Sequence, residues 1–247
     1  MQLIKLTTIT EPKPISELTK EQLIELQTAL SLLGFPLGDI DGLIGPKTLN
    51  AWAEFKTDIF PGNADLIGPN SIETLQEKVK SFGEGGIYDF STKAGTIEAI
   101  KAECKIQGIA LDTQIAYVLA TTQWETAQTF KPVKEAFWLS EDWRRNHLDY
   151  YPYYGRGFVQ LTWKRNYEAY GKILRIDLVN NLDLALDPNV ALFVLVHGFK
   201  TGTFTGRKIT DYISADTTDF INARRCINGE DKAHEIADLA NKFLRDL

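Results

Sequence analysis

The stretch Tyr153-Tyr154-Gly155-Arg156-Gly157-Phe158-Val159-Gln160-Leu161-Thr162-Trp163-Lys164-Arg165-Asn166-Tyr167 sets an arginine between two glycines and follows it with aromatic and hydrogen-bonding side chains. Glycines at these places let the backbone turn tightly and come close to a ligand, while tyrosines and Trp163 present flat faces suited to sugar rings. Gln160, Thr162 and Asn166 add polar heads. Thr162 and Asn166 are four positions apart, so a helix beginning after Leu161 would put both on one face, where they could hold one water. A carboxylate nearby would complete a hydrolytic site.

Glu125 supplies that carboxylate. It closes an amphipathic helix over Asp112-Thr113-Gln114-Ile115-Ala116-Tyr117-Val118-Leu119-Ala120-Thr121-Thr122-Gln123-Trp124, with Asp112 as the expected N-cap. An acid in a last helical turn opposes the macrodipole, so local stability does not ask for Glu125, and such violations gather at functional sites. Set against Trp124, Phe130 or Phe137, the carboxyl would lose hydration and keep a proton to donate.

From about Ile87 onward the chain resembles glycoside hydrolase family 19, the chitinase-like lysozyme fold of plant chitinases and phage endolysins. Trp124-Glu125-Thr126 is similar to the family's His-Glu-Thr helix end. Tyr154 to Gly157, Gln160-Leu161-Thr162 and Asn166-Tyr167 match its second signature. Asp187-Pro188 with Ala191, and Arg224-Arg225-Cys226-Ile227-Asn228-Gly229, match later segments. The resemblance implies that Glu125 is the acid, that Thr162 and Asn166 hold the attacking water, and that Asn228 reaches the substrate. Trp124 stands where the family has histidine.

Composition narrows the alternatives. A chain of 247 residues with 44% hydrophobic content can fill two modest cores or one large one. A net charge of −6 with interspersed signs argues against nucleic acid or an anionic membrane as partner, and the chain reads as a monomer. Cys104 and Cys226, far apart, read as buried free thiols. No metal or other cofactor is expected, since His147, His197 and His234 lack ligand spacing, and the Asp39-Ile40-Asp41-Gly42 turn lacks the glutamate of a calcium loop. The first residues show no Sec-type signal peptide, and no stretch reaches membrane-spanning length.

The first part of the chain reads as a separate domain over 1–82. Leu23, Leu26, Leu30 and Leu33 fall at helical spacing up to Gly34-Phe35-Pro36. Pro46 opens a second helix, with Leu49, Trp52 and Phe55 or Ala53 on its apolar side. Leu43-Ile44-Gly45-Pro46 recurs as Leu66-Ile67-Gly68-Pro69 before a third helix with Ile72, Leu75 and Val79 inward. Leu26-Gln27, Leu33-Gly34-Phe35, Asp41-Gly42, Thr48, Ala51-Trp52 and Phe55-Lys56 make this unit resemble the three-helix peptidoglycan-binding domain of cell-wall enzymes. Asp41 reads as a turn-former more than as a ligand contact.

Ser81-Phe82-Gly83-Glu84-Gly85-Gly86 is the expected joint. Beyond it, over 87–247, the expected fold is an α-rich, lysozyme-like catalytic domain with little strand. Its helices are capped by Ser91 or Thr92, carry Glu125, span Trp163 to Leu174, follow Asp187-Pro188, and run from Lys232 to Leu244.

Inverting hydrolysis needs a second carboxylate, about 6.5–9.5 Å from the acid, to activate water. Glu135 is preferred, because Pro132 breaks the helix and lets the chain fold back across the groove. Glu141, Asp142 and Asp149 are the alternatives, the first two at what reads as a capped helix start after Ser140. Tyr154, Arg156, Gln160, Trp163 and Asn228 are expected to bind substrate. Arg156 could instead pair with an acid, Thr162 could cap the following helix, and Asn228-Gly229 could be only a turn.

The expected activity is cleavage of the β-1,4 glycan of peptidoglycan. The expected setting is that of a phage endolysin, which waits in the host cytoplasm and then acts on the wall. Two alternatives stay open: a chitinase acting on N-acetylglucosamine polymers, and a non-catalytic wall-binding protein that keeps the groove's shape alone.

Overall fold

The computed structural model describes residues 1–35, 37–59, 64–83 and 88–247. The chain is mainly helical and divides into two compact units, Met1–Gly85 with Lys172–Arg175, and Gly86–Gly171 with Ile176–Leu247. Pro36 and the Glu84-Gly85-Gly86 part of the expected joint lie outside the described residues.

Three helices build the first unit: α1 (Lys20–Leu32), α2 (Pro46–Ile59) and α3 (Pro69–Gly83). Thr19 starts α1 with a reciprocal cap, its hydroxyl accepting from Gln22 N at 3.3 Å while Gln22 Oε1 accepts from Thr19 N at 3.0 Å. Leu26, Leu30, Trp52, Phe55, Leu75 and Val79 bury against one another, whereas Leu49, expected inward, is exposed. Two short strands, β1 (Lys13–Pro14) and β2 (Leu66–Ile67), pair antiparallel with Lys13 opposite Ile67, and Trp52 Nε1 donates to Leu66 O at 3.2 Å.

A buried glutamine fixes the turn between α1 and α2. Gln27 Nε2 donates to Asp41 Oδ1, Leu43 O and Thr48 Oγ1 at 3.1, 3.0 and 3.2 Å, and its Oε1 accepts from Gly42 N at 2.8 Å. Asp41 Oδ1 also accepts from Leu43 N at 2.9 Å, so this side chain is spent on the turn. Those bonds hold the Asp41 carboxyl below the ordinary range, the Leu43 amide contributing most. Gly42 has φ +73°, and a Cβ there would come within 2.9 Å of Lys20 O.

The second unit is built around α5 (Asp112–Glu125) and α8 (Pro188–Thr201). Residues 114–122 of α5 are all buried, so the helix is not amphipathic as expected: α4 (Lys93–Ile106), α8 and α9 (Ala233–Asp246) pack against it. Asp112 is the first helical residue rather than the cap, which falls at Leu111. Thr92 caps α4 by accepting from Gly95 N at 3.0 Å, and Asp187 caps α8 by accepting from Asn189 N and Val190 N at 2.9 and 3.2 Å. Cys104 and Cys226 are buried free thiols. Between α5 and α8 the chain forms β3 (Val133–Lys134), α6 (Glu141–His147), β4 (Arg156–Gly157) and α7 (Lys164–Leu174). Among the described residues no helix is long and apolar enough to cross a membrane.

Candidate active site

The β3–β4 pair places the preferred second carboxylate. Val133 lies opposite Gly157 and Lys134 opposite Arg156, and Glu135 N extends the ladder by donating to Gly155 O at 2.7 Å. Glu135 Oε2 accepts from Gly155 N at 2.9 Å, and Oε1 accepts from Tyr150 OH at 2.7 Å. Burial, and then the bond to Glu135, pushes the Tyr150 phenol up to about 12, so it keeps its proton and stays a donor. Arg144, buried, clamps the same backbone through Nε to Glu135 O at 2.7 Å and Nη2 to Ala136 O at 2.9 Å. Gly155 must be small here, because a Cβ would meet Gln160 Cβ at 2.9 Å and its Oε1 at 2.6 Å.

Glu125 closes α5 with its side chain 17% exposed, so the carboxyl is open to a ligand. Its hydrogen-bond partner is a guanidinium. Arg224 Nη1 donates to Glu125 Oε1 at 2.7 Å, and this guanidinium is only 4% exposed. The buried guanidinium thus finds a polar partner in the Glu125 carboxyl. Arg224 comes from the 3-10 turn Asn222–Cys226, is fastened through Nε to Asp231 O at 3.0 Å, and accepts Asn228 N on its carbonyl at 3.0 Å. Arg225 points its charge elsewhere, to Glu230. Asn228 Oδ1 accepts from Gly229 N at 2.8 Å.

The polar heads after β4 are arranged differently from a simple helix start. Gln160 and Trp163 have φ of +58° and +72°, so the chain is left-handed at Trp163 and α7 begins only at Lys164. Thr162 Oγ1 donates to Gln160 O at 2.7 Å, and Asn166 Nδ2 donates to Thr162 O at 2.8 Å, so the two are joined through backbone. The Thr162 oxygen and the Asn166 carbonyl keep acceptor capacity. Gln160 Nε2 donates to Val133 O at 3.2 Å. Trp163 is 51% exposed, with its ring 4.9 Å from that of Tyr150.

Tyr154 and Arg156, expected at the substrate, are interior groups. Tyr154 has no exposed surface, and the Arg156 guanidinium lies 3.8 Å over its ring, leaving no face for a sugar. Arg156 Nε donates to Asp183 Oδ1 at 2.9 Å, and Nη1 donates to Pro152 O, Tyr154 O and Tyr167 OH. Burial pulls the Asp183 carboxyl upward, but bonds from Lys134 and Arg156 outweigh it and the net displacement is downward. Arg156 is thus a strut that holds the loop carrying Gly155. Glu141 accepts from Tyr154 OH at 2.9 Å and from Arg144 Nη1 at 3.3 Å, which ties it to the same scaffold. Asp142 pairs with Arg145 at the surface, and Asp149 is exposed.

Two clusters result. Glu135, Tyr150, Gly155, Gln160, Thr162, Trp163 and Asn166 form one; Glu125, Arg224 and Asn228 form the other. Among the described residues no hydrogen bond or ion pair joins them. Sequence reasoning named Arg224 only as part of a matching segment and gave no role to Tyr150 or to Trp138, which is 71% exposed. Two adjacent aromatics, Phe137 and Trp138, beginning two positions after Glu135 were the legible signal for the last. No group of three His, Cys, Asp or Glu side chains among the described residues could hold a metal ion.

Residues 134–204 match the profile of glycoside hydrolase family 19, described as chitinase class I. The match takes in Glu135 and the Gly155–Asn166 segment, and begins after Glu125. Basic endochitinase B of Arabidopsis thaliana is 24% identical over 163 residues, 64% of this chain and 46% of that protein. Chitinase 11 of Oryza sativa subsp. japonica is 61% identical over 41 residues, 16% of each chain. The chain thus spans less than half the length of these curated relatives. Chitinase C from Streptomyces griseus HUT6037 superposes over 80% of this chain and 76% of its own with 18% identity and a TM-score of 0.39.

Proposed function

We propose that this chain is a glycoside hydrolase that cuts the β-1,4 glycan of peptidoglycan with inversion. The observation that carries the reading is the pair of separately held carboxylates, Glu125 by Arg224 and Glu135 by Tyr150 and the Gly155 amide. Glu125 gives its proton to the leaving oxygen, and Arg224 stabilises the carboxylate that remains. Glu135, fixed in orientation by two donors, takes the proton of a water that attacks the opposite sugar face. Thr162 Oγ1 accepts that water's other hydrogen and the second Asn166 Nδ2 hydrogen donates to its oxygen, Trp163 and Trp138 offer aromatic faces to the glycan, and Gln160 and Asn228 supply polar contacts.

The N-terminal helical unit favours peptidoglycan, by its resemblance to wall-binding domains, and with it the role of an endolysin acting on the wall from inside the host. A chitinase reading is favoured by the family match and by the names of the relatives. Both readings share one chemistry. Glu125→Gln keeps the shape and the bond to Arg224 but has no proton to transfer, so lysis of outer-membrane-stripped cells, followed as turbidity, should fall at least about 100-fold. Near wild-type lysis by this variant, folded by circular dichroism, would remove Glu125 from the mechanism.

A further inference from the structure

Consecutive residues on a helix point about 100° apart, so Trp124 and Glu125 serve different sides of the end of α5. Trp124 lines a cavity of about 440 Å³ between that helix end and α9, with Gln123 and Gln128 on its own wall and Asp238, Leu239 and Lys242 on the other. The volume falls in the range of small-ligand sites, about 300–1,000 Å³. The indole is 37% exposed. Core packing of α5 against α9 therefore does not consume it.

Of the polar side chains around it, Glu235 is paired with Lys232 and the other four are idle. Among the described residues, the side chains of Gln123, Gln128, Asp238 and Lys242 make no hydrogen bond or ion pair, although Asp238 and Lys242 stand one turn apart on α9. The wall that carries Gln128 is also fixed at a cost. Ala127, Gln128 and Phe130 have φ of +47°, +67° and +54°, a conformation that non-glycine residues avoid. Thr126 Oγ1, accepting from Phe130 N at 3.0 Å, and Gln128 N, donating to Gln123 O at 2.7 Å, lock the turn. Strain of this kind persists where the surroundings enforce it and gathers at ligand sites.

A flat aromatic face with two carboxamides, a carboxylate and an ammonium around it is the chemistry that takes a pyranose ring. The apolar C–H face lies on the indole, and hydroxyl and acetamide groups reach the polar heads. A polyanion is disfavoured, because Glu235 and Asp238 outnumber Lys242 among the charged lining residues. An apolar helix is disfavoured too, because Trp124, Ala127 and Leu239 are the lining's apolar members.

We propose that this cavity is an auxiliary glycan-binding site, which holds an N-acetylhexosamine unit of the polymer outside the cleavage groove. The inference rests on the proposed glycan-hydrolase reading. Its effect is on affinity for the polymer and not on the chemical step.

The test uses the full chain as Glu125→Gln, so that ligand survives, with ¹⁵N-labelled tryptophan indoles assigned through single Trp→Phe variants. A peptide-free peptidoglycan tetrasaccharide is titrated in. The Trp124 indole resonance should shift saturably, and its dissociation constant should weaken at least about fivefold when Asp238→Ala and Lys242→Ala are added, the loss of roughly one net hydrogen bond. The Trp163 resonance should shift with a constant that those changes leave alone. A Trp124 resonance that stays still, or that follows the Trp163 curve regardless of the α9 changes, overturns the site while leaving the groove intact. Silence of both resonances overturns the glycan reading and the auxiliary site together.

Discussion

At the scale of single residues, the proposed function rests on how two carboxyls are held. Arg224, itself buried, can neither leave Glu125 nor be left by it without stranding a charge, so the pair sets the carboxyl's position at the end of α5. Glu135 is held from two directions by a phenol and a backbone amide, as suits a base that must stay aimed at water. If Glu135 activates water, Glu135→Ala should abolish turnover, and added azide should restore part of it as the α-glycosyl azide, because a small anion can attack unaided from the emptied side. Product analysis by mass and NMR checks this. A β-azide would make Glu135 a nucleophile, and rescue of Glu141→Ala instead would transfer the role to Glu141.

At the scale of elements, what could be read from sequence was what is local. The three leucine-spaced or proline-started helices of the N-terminal unit, the Thr92 cap, the helix after Asp187-Pro188 and the helix start after Ser140 depend on neighbours within a turn, and they stand where periodicity and capping put them. Within the site, Glu125 and Glu135 were legible as candidates, but their partners were not. Arg224 reaches Glu125 across 99 positions, and no spacing rule says which of several acids a buried arginine will meet. The same limit put Tyr154 and Arg156 at the substrate: glycines and aromatics in a row fit a ligand-facing loop and an interior strut equally well. The helix at Asn166 was read one step early because the left-handed turn at Trp163 has no signature in a non-glycine residue.

The α4 helix carries a consequence for stability. Glu103 is buried and accepts from Gln107 Nε2 at 2.6 Å, while the buried Gln107 Oε1 has no partner. Burial pushes the Glu103 carboxyl up, and the bond from Gln107 offsets part of that. A protonated Glu103 can satisfy Gln107 Oε1 with its hydroxyl. The folded chain therefore binds this proton at pH values where the unfolded chain has released it. The contribution to stability is fully present below the ordinary value of 4.5 and is lost as pH rises through the raised one. Glu103→Gln supplies the donor at every pH, so Tm measured by calorimetry should decline less between pH 4.5 and 8 in the variant than in the parent. An equal decline in both would show that Glu103 does not contribute.

At the scale of the whole molecule, a mainly helical chain combines a small unit whose core and turn are self-contained with a larger one built around α5 and α8. The larger unit's two central helices are buried along their middles, and the irregular chain between them carries Glu135 and the Gly155–Asn166 loop, where the proposed chemistry falls. Net charge of −6 gives the molecule no electrostatic pull toward an anionic polymer, so on the proposed reading attachment comes from specific contacts with glycan. The most direct measurement is ¹H NMR of purified peptidoglycan during its first minutes of digestion by the full chain. The account predicts new reducing ends that appear as the α anomer, at a rate exceeding that on chitin. A β anomer would contradict the single displacement, faster cleavage of chitin would contradict the choice of substrate, and the absence of new reducing ends on either polymer would contradict the account as a whole.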